Sequence, residues 1–557
     1  GGGGGGDFGE EDLLQAIDQA QAEAPGLSEF EHQSAAATTL TPALPSPGAV
    51  VKVMPPSPIH GIQELELDNG MKITLMTTDF QDDEVVFVGH ADGGLTEEWR
   101  QDANDPEKRG YLSAKYAPLV AEELGNFGLP PAELLDVLSG TQVSLDANSS
   151  AYGRSVAGDA SAKDFEIALQ LIHLLFTTEI KYDKERLAVV IEYMKEYLQM
   201  QRKSPHSVFS AMTDALNTNN HYYYHHHGPE VVDRVDARRA LAHYRALFRD
   251  PAAFRFVFAG NVDLAAARPL LEKYLGSIPR PPAHLRPRLY ASRADLAPLG
   301  VTFPASRVSR TVHMPLISPL AMLCKALPFS AGGGPGGTKG TRLRDNLAAE
   351  LVATVLERRL LDSLRFELGS IYTVNVGLTY SVSDPIVKDS DPLQGLFLVT
   401  LTCKPSDVER IEAKIMGDLE KLSTEGPQEQ EVANAIVAHR RERETALRTN
   451  NYWANMISRS YKSPRYCGDI EATVKGNWDA TDALFESLNA KEIKAYFQQF
   501  FGDHGQCRCM STSVLKSEGI GKKLVKWAVL GGGIFALTAG ISAVVTRYFR
   551  NKATRKI

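Results

Sequence analysis

The chain has 557 residues, 43% of them apolar and 23% charged, with a formal net charge of −8. That length exceeds a single hydrophobic core and calls for two or more domains, and the acidic balance makes no electrostatic case for nucleic acid. Five scattered cysteines (Cys324, Cys403, Cys467, Cys507 and Cys509) exclude a disulfide framework and fit a reducing compartment.

The chain opens on six glycines rather than a methionine, as a fragment or processed product would. Residues 1–60 read as an acidic helix followed by a linker. Eight acids and no lysine or arginine fall within residues 1–32, with Leu13, Leu14 and Ile17 on one side of a short helix over Asp12–Ala24. Residues 33–60 turn to Ala, Thr, Pro and Ser, which favours an extended tether.

A first domain is expected over residues 61–285. Asp68-Asn69-Gly70 is a turn signal before an alternating strand at Met71–Met76, and Glu84–Val88 is a second, more buried strand. Helical spacing runs through Tyr111–Leu124, through Lys163–Phe176 and through Asp183–Met200. The domain closes with a buried strand at Phe254–Phe258 and a helix ending near Tyr274-Leu275-Gly276.

A second domain, residues 286–512 after a proline-rich connection, repeats this grammar. Leu396–Cys403 is an apolar strand, and Ser406-x-x-Glu409 reads as a capping box for a helix with Val408, Ile411, Ile415, Leu419 and Leu422 on one face. Earlier in this domain, Leu364-Arg365-Phe366-Glu367-Leu368-Gly369-Ser370-Ile371-Tyr372 ends a long apolar-periodic run and enters a strand alternating through Val374, Val376, Leu378, Tyr380 and Val382. From the residues alone, Arg365 and Tyr372 read as a surface arginine and a strand tyrosine, or else as two side chains converging on one spot. The fold class is α+β: two related domains, each an antiparallel-leaning sheet with helices on one face.

The C-terminus carries the clearest physical signal. Trp527–Thr546 is twenty residues without a charge, flanked by Lys522, Lys523 and Lys526 before it and by a basic tail at residues 547–557. At 1.5 Å per residue such a helix spans about 30 Å, enough to cross a bilayer core. A single transmembrane helix is expected, and basic residues on both sides leave its orientation open.

No self-contained catalytic motif stands out. Neither H-x-x-E-H nor H-E-x-x-H occurs. His221, His225, His226 and His227 sit in a stretch that reads as a solvated loop with no general base nearby, and His504, Cys507 and Cys509 make a poor tetrahedral set. Gly332–Lys339 lacks the spacing of a phosphate-binding loop. Arg440, Arg441 and Arg443, interleaved with acids, suit a solvated helix face.

Several stretches together resemble the pitrilysin/insulinase family of zinc metallopeptidases. They are Leu67-Asp68-Asn69-Gly70-Met71, Gly93-Gly94-Leu95, Asp164–Phe176, Phe258–Asp263, Lys273–Pro279 and Leu364–Tyr372, in an order and spacing that cover nearly all of residues 61–501. The likeness is to the C-terminal half of the large plant and algal members. It implies four related domains in two halves closing on an unfolded peptide, this chain being the half without zinc. In the helix that would carry H-x-x-E-H, the resemblance puts Ser113, Tyr116 and Ala117 at the ligand and base positions, with Glu192 near the distal glutamate. None of the three can ligate zinc or activate water, so no metal is expected on this chain. The resemblance gives Arg365 and Tyr372 the role of reaching across to substrate at the zinc, the tyrosine donating to an oxyanion and the arginine holding the peptide backbone.

The functional expectation is the substrate-binding half of a membrane-anchored zinc metalloendopeptidase that cleaves peptides. Its zinc would lie in a complementary half, upstream or on a partner chain. The competing expectation is a non-catalytic structural or substrate-binding subunit of a larger organelle membrane complex. An organelle membrane, chloroplast before mitochondrion, is the expected location.

Overall fold

The computed structural model describes residues 40–519 apart from residues 42, 58–60, 102–104, 106–107, 283–295, 297, 317, 332–340, 369–372, 381–392, 464–465, 503–504 and 506. The first block builds β1 (Val50–Val53), β2 (Gln63–Leu67), β3 (Lys72–Thr77) and β4 (Val85–Asp92), then α1 (Leu95–Gln101), α2 (Arg109–Glu123) and α3 (Pro131–Val137). β5 (Val143–Ser149) and β6 (Gly153–Ala160) precede α4 (Phe165–Thr177), α5 (Lys184–Lys203), α6 (Pro205–Asn217) and α7 (Ala237–Phe248). β7 (Arg255–Gly260) and α8 (Leu264–Leu270) close the block. Its sheet runs β1-β2-β3-β7-β4-β6-β5, antiparallel except for the β3–β7 pair.

The second block contains β8 (Arg307–Leu316), β9 (Ala321–Ala331), α9 (Thr341–Leu368), β10 (Val374–Tyr380) and β11 (Leu393–Cys403). It continues through α10 (Val408–Thr424), α11 (Glu429–Ala446), α12 (Asn450–Lys462), α13 (Ile470–Ser487), α14 (Ala490–Phe501) and β12 (Met510–Gly519). Its sheet runs β10-β11-β9-β12-β8, with only β12–β8 parallel. The two sheets share one plan. In each, the last strand inserts between an early strand it parallels and the next strand it opposes, so β3-β7-β4-β6-β5 corresponds to β8-β12-β9-β11-β10.

Three boundaries differ from the sequence expectation. The stretch read as linker supplies β1, paired with β2, so the first sheet begins ahead of residue 61. The last strand runs to Gly519, past residue 512, and is the second sheet's interior strand rather than its tail. Ser406 forms no capping box: α10 starts at Val408 behind Asp407, whose side chain makes no capping bond. The capping box forms one helix later, at Gln428 and Glu431.

Helices cover one face of each sheet as expected, but the second faces are covered crosswise. β7 shows why its sequence reads as a continuous apolar run: Phe256 and Phe258 enter the first block's main core, while Val257 and Ala259 point the other way. There they meet Trp453, Ala454 and Ile457 of α12, a helix of the second block. Reciprocally, α6 of the first block packs on β12 and β8. Each larger side chain buried here, such as Val257 or Ile457, contributes roughly 1.5–3 kcal/mol, so the exchange joins the blocks firmly.

Asn69, in the first turn, ties two of the resembling stretches together. Its Nδ2 donates to Leu275 O at 2.7 Å and Ile278 O at 3.1 Å, while its Oδ1 accepts from Met71 N at 3.1 Å. Gly70 beside it takes a φ of 86°, which a side chain would strain.

Trp527–Thr546 lies outside the described residues, as do the acidic segment and Gly332–Lys339. Among the described residues, no helix is long and apolar enough to cross a membrane.

Candidate functional site

α2 occupies the position of the expected metal helix, and its side chains are committed to packing. The Ser113 hydroxyl is buried, donates to Arg109 O at 2.7 Å and accepts from Asp236 N at 3.0 Å, which binds α2 to the start of α7. Ala117 is fully buried in the main core. Burial pushes the Tyr116 phenol up to about 12, so it is no base at neutral pH. Glu192, on α5, faces solvent 3.9 Å from Lys195, whose amine is drawn more closely to Asp233 at 2.9 Å. A hydroxyl with both bonds used, a methyl, a phenol and a solvent-facing carboxylate do not fit zinc. Among the described residues, no group of three His, Cys, Asp or Glu side chains is placed to hold a metal.

The histidine-rich stretch is partly packed, with His226 exposed and His221, His225 and His227 half-buried, which corrects the reading of a wholly solvated loop. Tyr222–Tyr224 form a short 3-10 turn. The Trp99 ring lies 5.3 Å from His221, 5.2 Å from Tyr111 and 6.0 Å from Tyr222. His226 Nε2 is 2.6 Å from Asp214 Oδ2. Burial, with the Lys115 charge beside it, holds His227 down to about 3, and its buried Nε2 has no partner among the described residues. Burial also lowers the Lys115 amine to about 8, and its Nζ donates to His225 O at 3.3 Å. The signal missed in the sequence is aromatic density: Trp99 lies against His221, and Tyr222 lies against His225 and His227. His504 lies outside the described residues. Cys509 Sγ donates to Ala305 O at 3.1 Å, a structural contact. Arg443 is likewise tied across helices, its Nη2 2.6 Å from Asp482 of α13.

Arg365 falls in the last turn of α9, as the sequence indicates. Leu360 and Leu364, one turn apart, are fully buried and fix which way this end of the helix faces. Three polar ties hold the same stretch. Arg359 binds Glu431 of α11 through two bonds of 2.9 and 2.6 Å, and Ser363 Oγ donates to Asp418 Oδ2 of α10 at 2.7 Å. Glu357 Oε2 accepts from Val376 N of β10 at 2.8 Å. Paired carboxylate–guanidinium bonds are geometrically specific, so the helix end is fixed and Arg365 is presented at the surface from a rigid mount. The neighbouring Phe366 is 94% exposed, a large apolar side chain that the expectation passed over. Tyr372 and Val382 lie outside the described residues, so the structure places only the arginine of the pair.

The two blocks share one plan, and the helix at the expected metal position offers no zinc ligands. Residues 235–438 match the family model described as the Peptidase M16 inactive domain. A zinc protease PQQL-like protein of Arabidopsis thaliana is 28% identical over 471 residues, which cover 85% of this chain and 44% of that protein. The periplasmic protease PqqL from Escherichia coli superposes with a TM-score of 0.62 at 17% identity, covering 92% of this chain and 51% of that one. A protease from Helicobacter pylori gives 0.59 at 12% identity over 85% of this chain and 100% of its own. The chain is therefore similar to the pitrilysin-type M16 zinc peptidases, with residues 235–438 matching their inactive domain. It spans about half the length of the curated relative it matches.

Proposed function

We propose that this chain is the substrate-binding half of a membrane-anchored zinc metalloendopeptidase that cleaves peptides. The zinc motif is supplied by a complementary half, in the same polypeptide or on a partner chain. The observation that carries this reading is Arg365, displayed at the end of a helix that its neighbours hold rigid, in a chain whose own metal helix is filled by Ser113 and Ala117. Arg365 grips the backbone of a peptide lying at the partner's zinc, Tyr372 donates to the developing oxyanion, and the exposed Phe366 ring offers apolar contact to a substrate side chain. The domains divide near residue 285, the first opening with β1 and the second closing with β12, and the residues ahead of β1 lead in from the complementary half. Residues 527–546 anchor the assembly in an organelle membrane, that of the chloroplast before the mitochondrion, and the uncharged twenty-residue stretch supports this.

The test is chelator-sensitive cleavage of a quenched fluorescent peptide by the native assembly. Arg365→Ala and Tyr372→Phe are each expected to lower kcat/KM by about 10²-fold, the scale of losing one transition-state donor. Metal-dependent cleavage unchanged by Arg365→Ala removes its assigned role. Absence of any cleavage by the native assembly replaces the enzyme reading with that of a non-catalytic membrane subunit.

A further inference from the structure

Edge strands expose unpaired N–H and C=O groups, and proteins ordinarily protect them by shortness, bulges, charged side chains, proline or a covering element. Three of the four sheet edges described here are protected in these ways. β1 is four residues long with a register shift between Val50 and Lys52. β8 carries Arg307, Arg310, His313 and Pro315. β10 has its Val376 N–H taken by the Glu357 carboxylate, at the place where the carbonyl of a further strand would sit.

β5 has almost none of these protections, its single charge being Asp146. It is seven residues of unbroken register against β6, without proline, lysine or arginine, and every residue is half-exposed. Ser150 N donates to Gly153 O and Ser161 N to Gln142 O, so the even-numbered residues of this strand bond inward to β6. The N–H and C=O groups of Val143, Leu145, Ala147 and Ser149 therefore point away from the sheet, and no described residue bonds to them. β5 and β10 occupy the same place in the shared plan of the two sheets, yet only β10 is capped. The side chains of Val143, Leu145 and Ala147 pack on the main core, which holds the strand flat and ordered. On its other face Asp146, bonded by Asn148 Nδ2 at 2.7 Å, presents a carboxylate beside the open edge.

We propose that the open edge of β5 binds an extended polypeptide segment as an added strand, with preference for a basic side chain opposite Asp146. Main-chain bonds to the four outward residues supply affinity for any extended peptide, and cross-strand pairing with Asp146 supplies the selectivity. The class of occupant rests on the peptide-handling reading above, while the site is distinct from Arg365 and needs no metal.

The experiment uses the full chain with chelator present and a fluorescein-labelled peptide alternating lysine with threonine, followed by fluorescence anisotropy. Ala147→Pro removes one outward N–H at a position where an edge strand tolerates proline. It is expected to weaken binding about tenfold, the worth of one or two net hydrogen bonds, with the thermal melt unchanged. Asp146→Lys leaves the edge open and is expected to shift preference to a peptide alternating glutamate with threonine, which keeps the proposal testable should the proline variant fold poorly. Wild-type chain that binds no peptide, a folded Ala147→Pro variant that binds as wild type, or a wild-type dimer dispersed by that variant would each overturn it. Because binding is read without metal or cleavage, an inactive assembly leaves this result standing, and loss of edge binding leaves the Arg365 test standing.

Discussion

The Tyr461 hydroxyl, on α12 of the second block, donates a 2.7 Å hydrogen bond to Glu64 of the first. The same oxygen lies 2.8 Å from Thr74 Oγ1, and the Arg255 guanidinium sits 3.8 Å from the Tyr461 ring centre while holding Glu64 at 3.1 Å. Residues nearly four hundred apart thus share one polar cluster where α12 crosses the first sheet. Tyr461→Phe keeps the ring and its stacking on Arg255 but removes the bond to the carboxylate. A loss of about 1–2 kcal/mol is expected, read as a lower urea midpoint. An unchanged midpoint would show that Arg255 alone satisfies Glu64.

Asn69 makes a second long-range tie, its amide reaching the carbonyls of Leu275 and Ile278 from inside a turn. Asn69→Ala leaves these buried carbonyls and the Met71 N–H short of partners. The expected cost is about 2–3 kcal/mol, measurable by thermal or urea unfolding. Asn69→Asp is expected to be as damaging, since a carboxylate accepts from Met71 N but cannot donate to the carbonyls.

Acid sensitivity should trace in part to His227. Its folded value is held down to about 3, against an ordinary 6.5. Below pH 6.5 the unfolded chain takes up a proton that the folded chain refuses until about pH 3, so stability from this site falls as pH drops across that window and is flat above it. His227→Phe is expected to flatten the pH dependence of the unfolding midpoint between those values. An unaltered slope assigns the acid sensitivity to other groups.

The cysteines should separate by reactivity. Cys467 is exposed, and hydrogen bonding with the Thr473 hydroxyl first and the Asp469 backbone second holds its thiol below the usual range. Burial pushes Cys324 up to about 12 and both Cys403 and Cys507 up to about 11. Iodoacetamide at neutral pH is expected to modify Cys467 well ahead of these three, because the thiolate is the nucleophile. Cys467→Ser should remove the fast phase, as read by mass spectrometry.

The sequence by itself determined the local elements and their class. Alternation marked β3, apolar runs marked β4, β7 and β11, and period-3.6 spacing marked α2, α4 and α5 within a few residues, because burial of one face imposes a period and burial of both imposes a run. It also set the chemistry that α2 lacks, since no packing turns Ser113 and Ala117 into ligands, and it put Arg365 at a helix end. Only the tertiary structure decided what each second face meets. β1 is too short to show a period, and β12 shows its interior place only when paired with β8 and β9. The crossing of α12 and α6, the seating of His227 beside Lys115 and the open row along β5 depend on pairings between distant segments. Hydrophobic period records that a residue is buried but carries no label for its partner, so these partners were fixed by the fold alone.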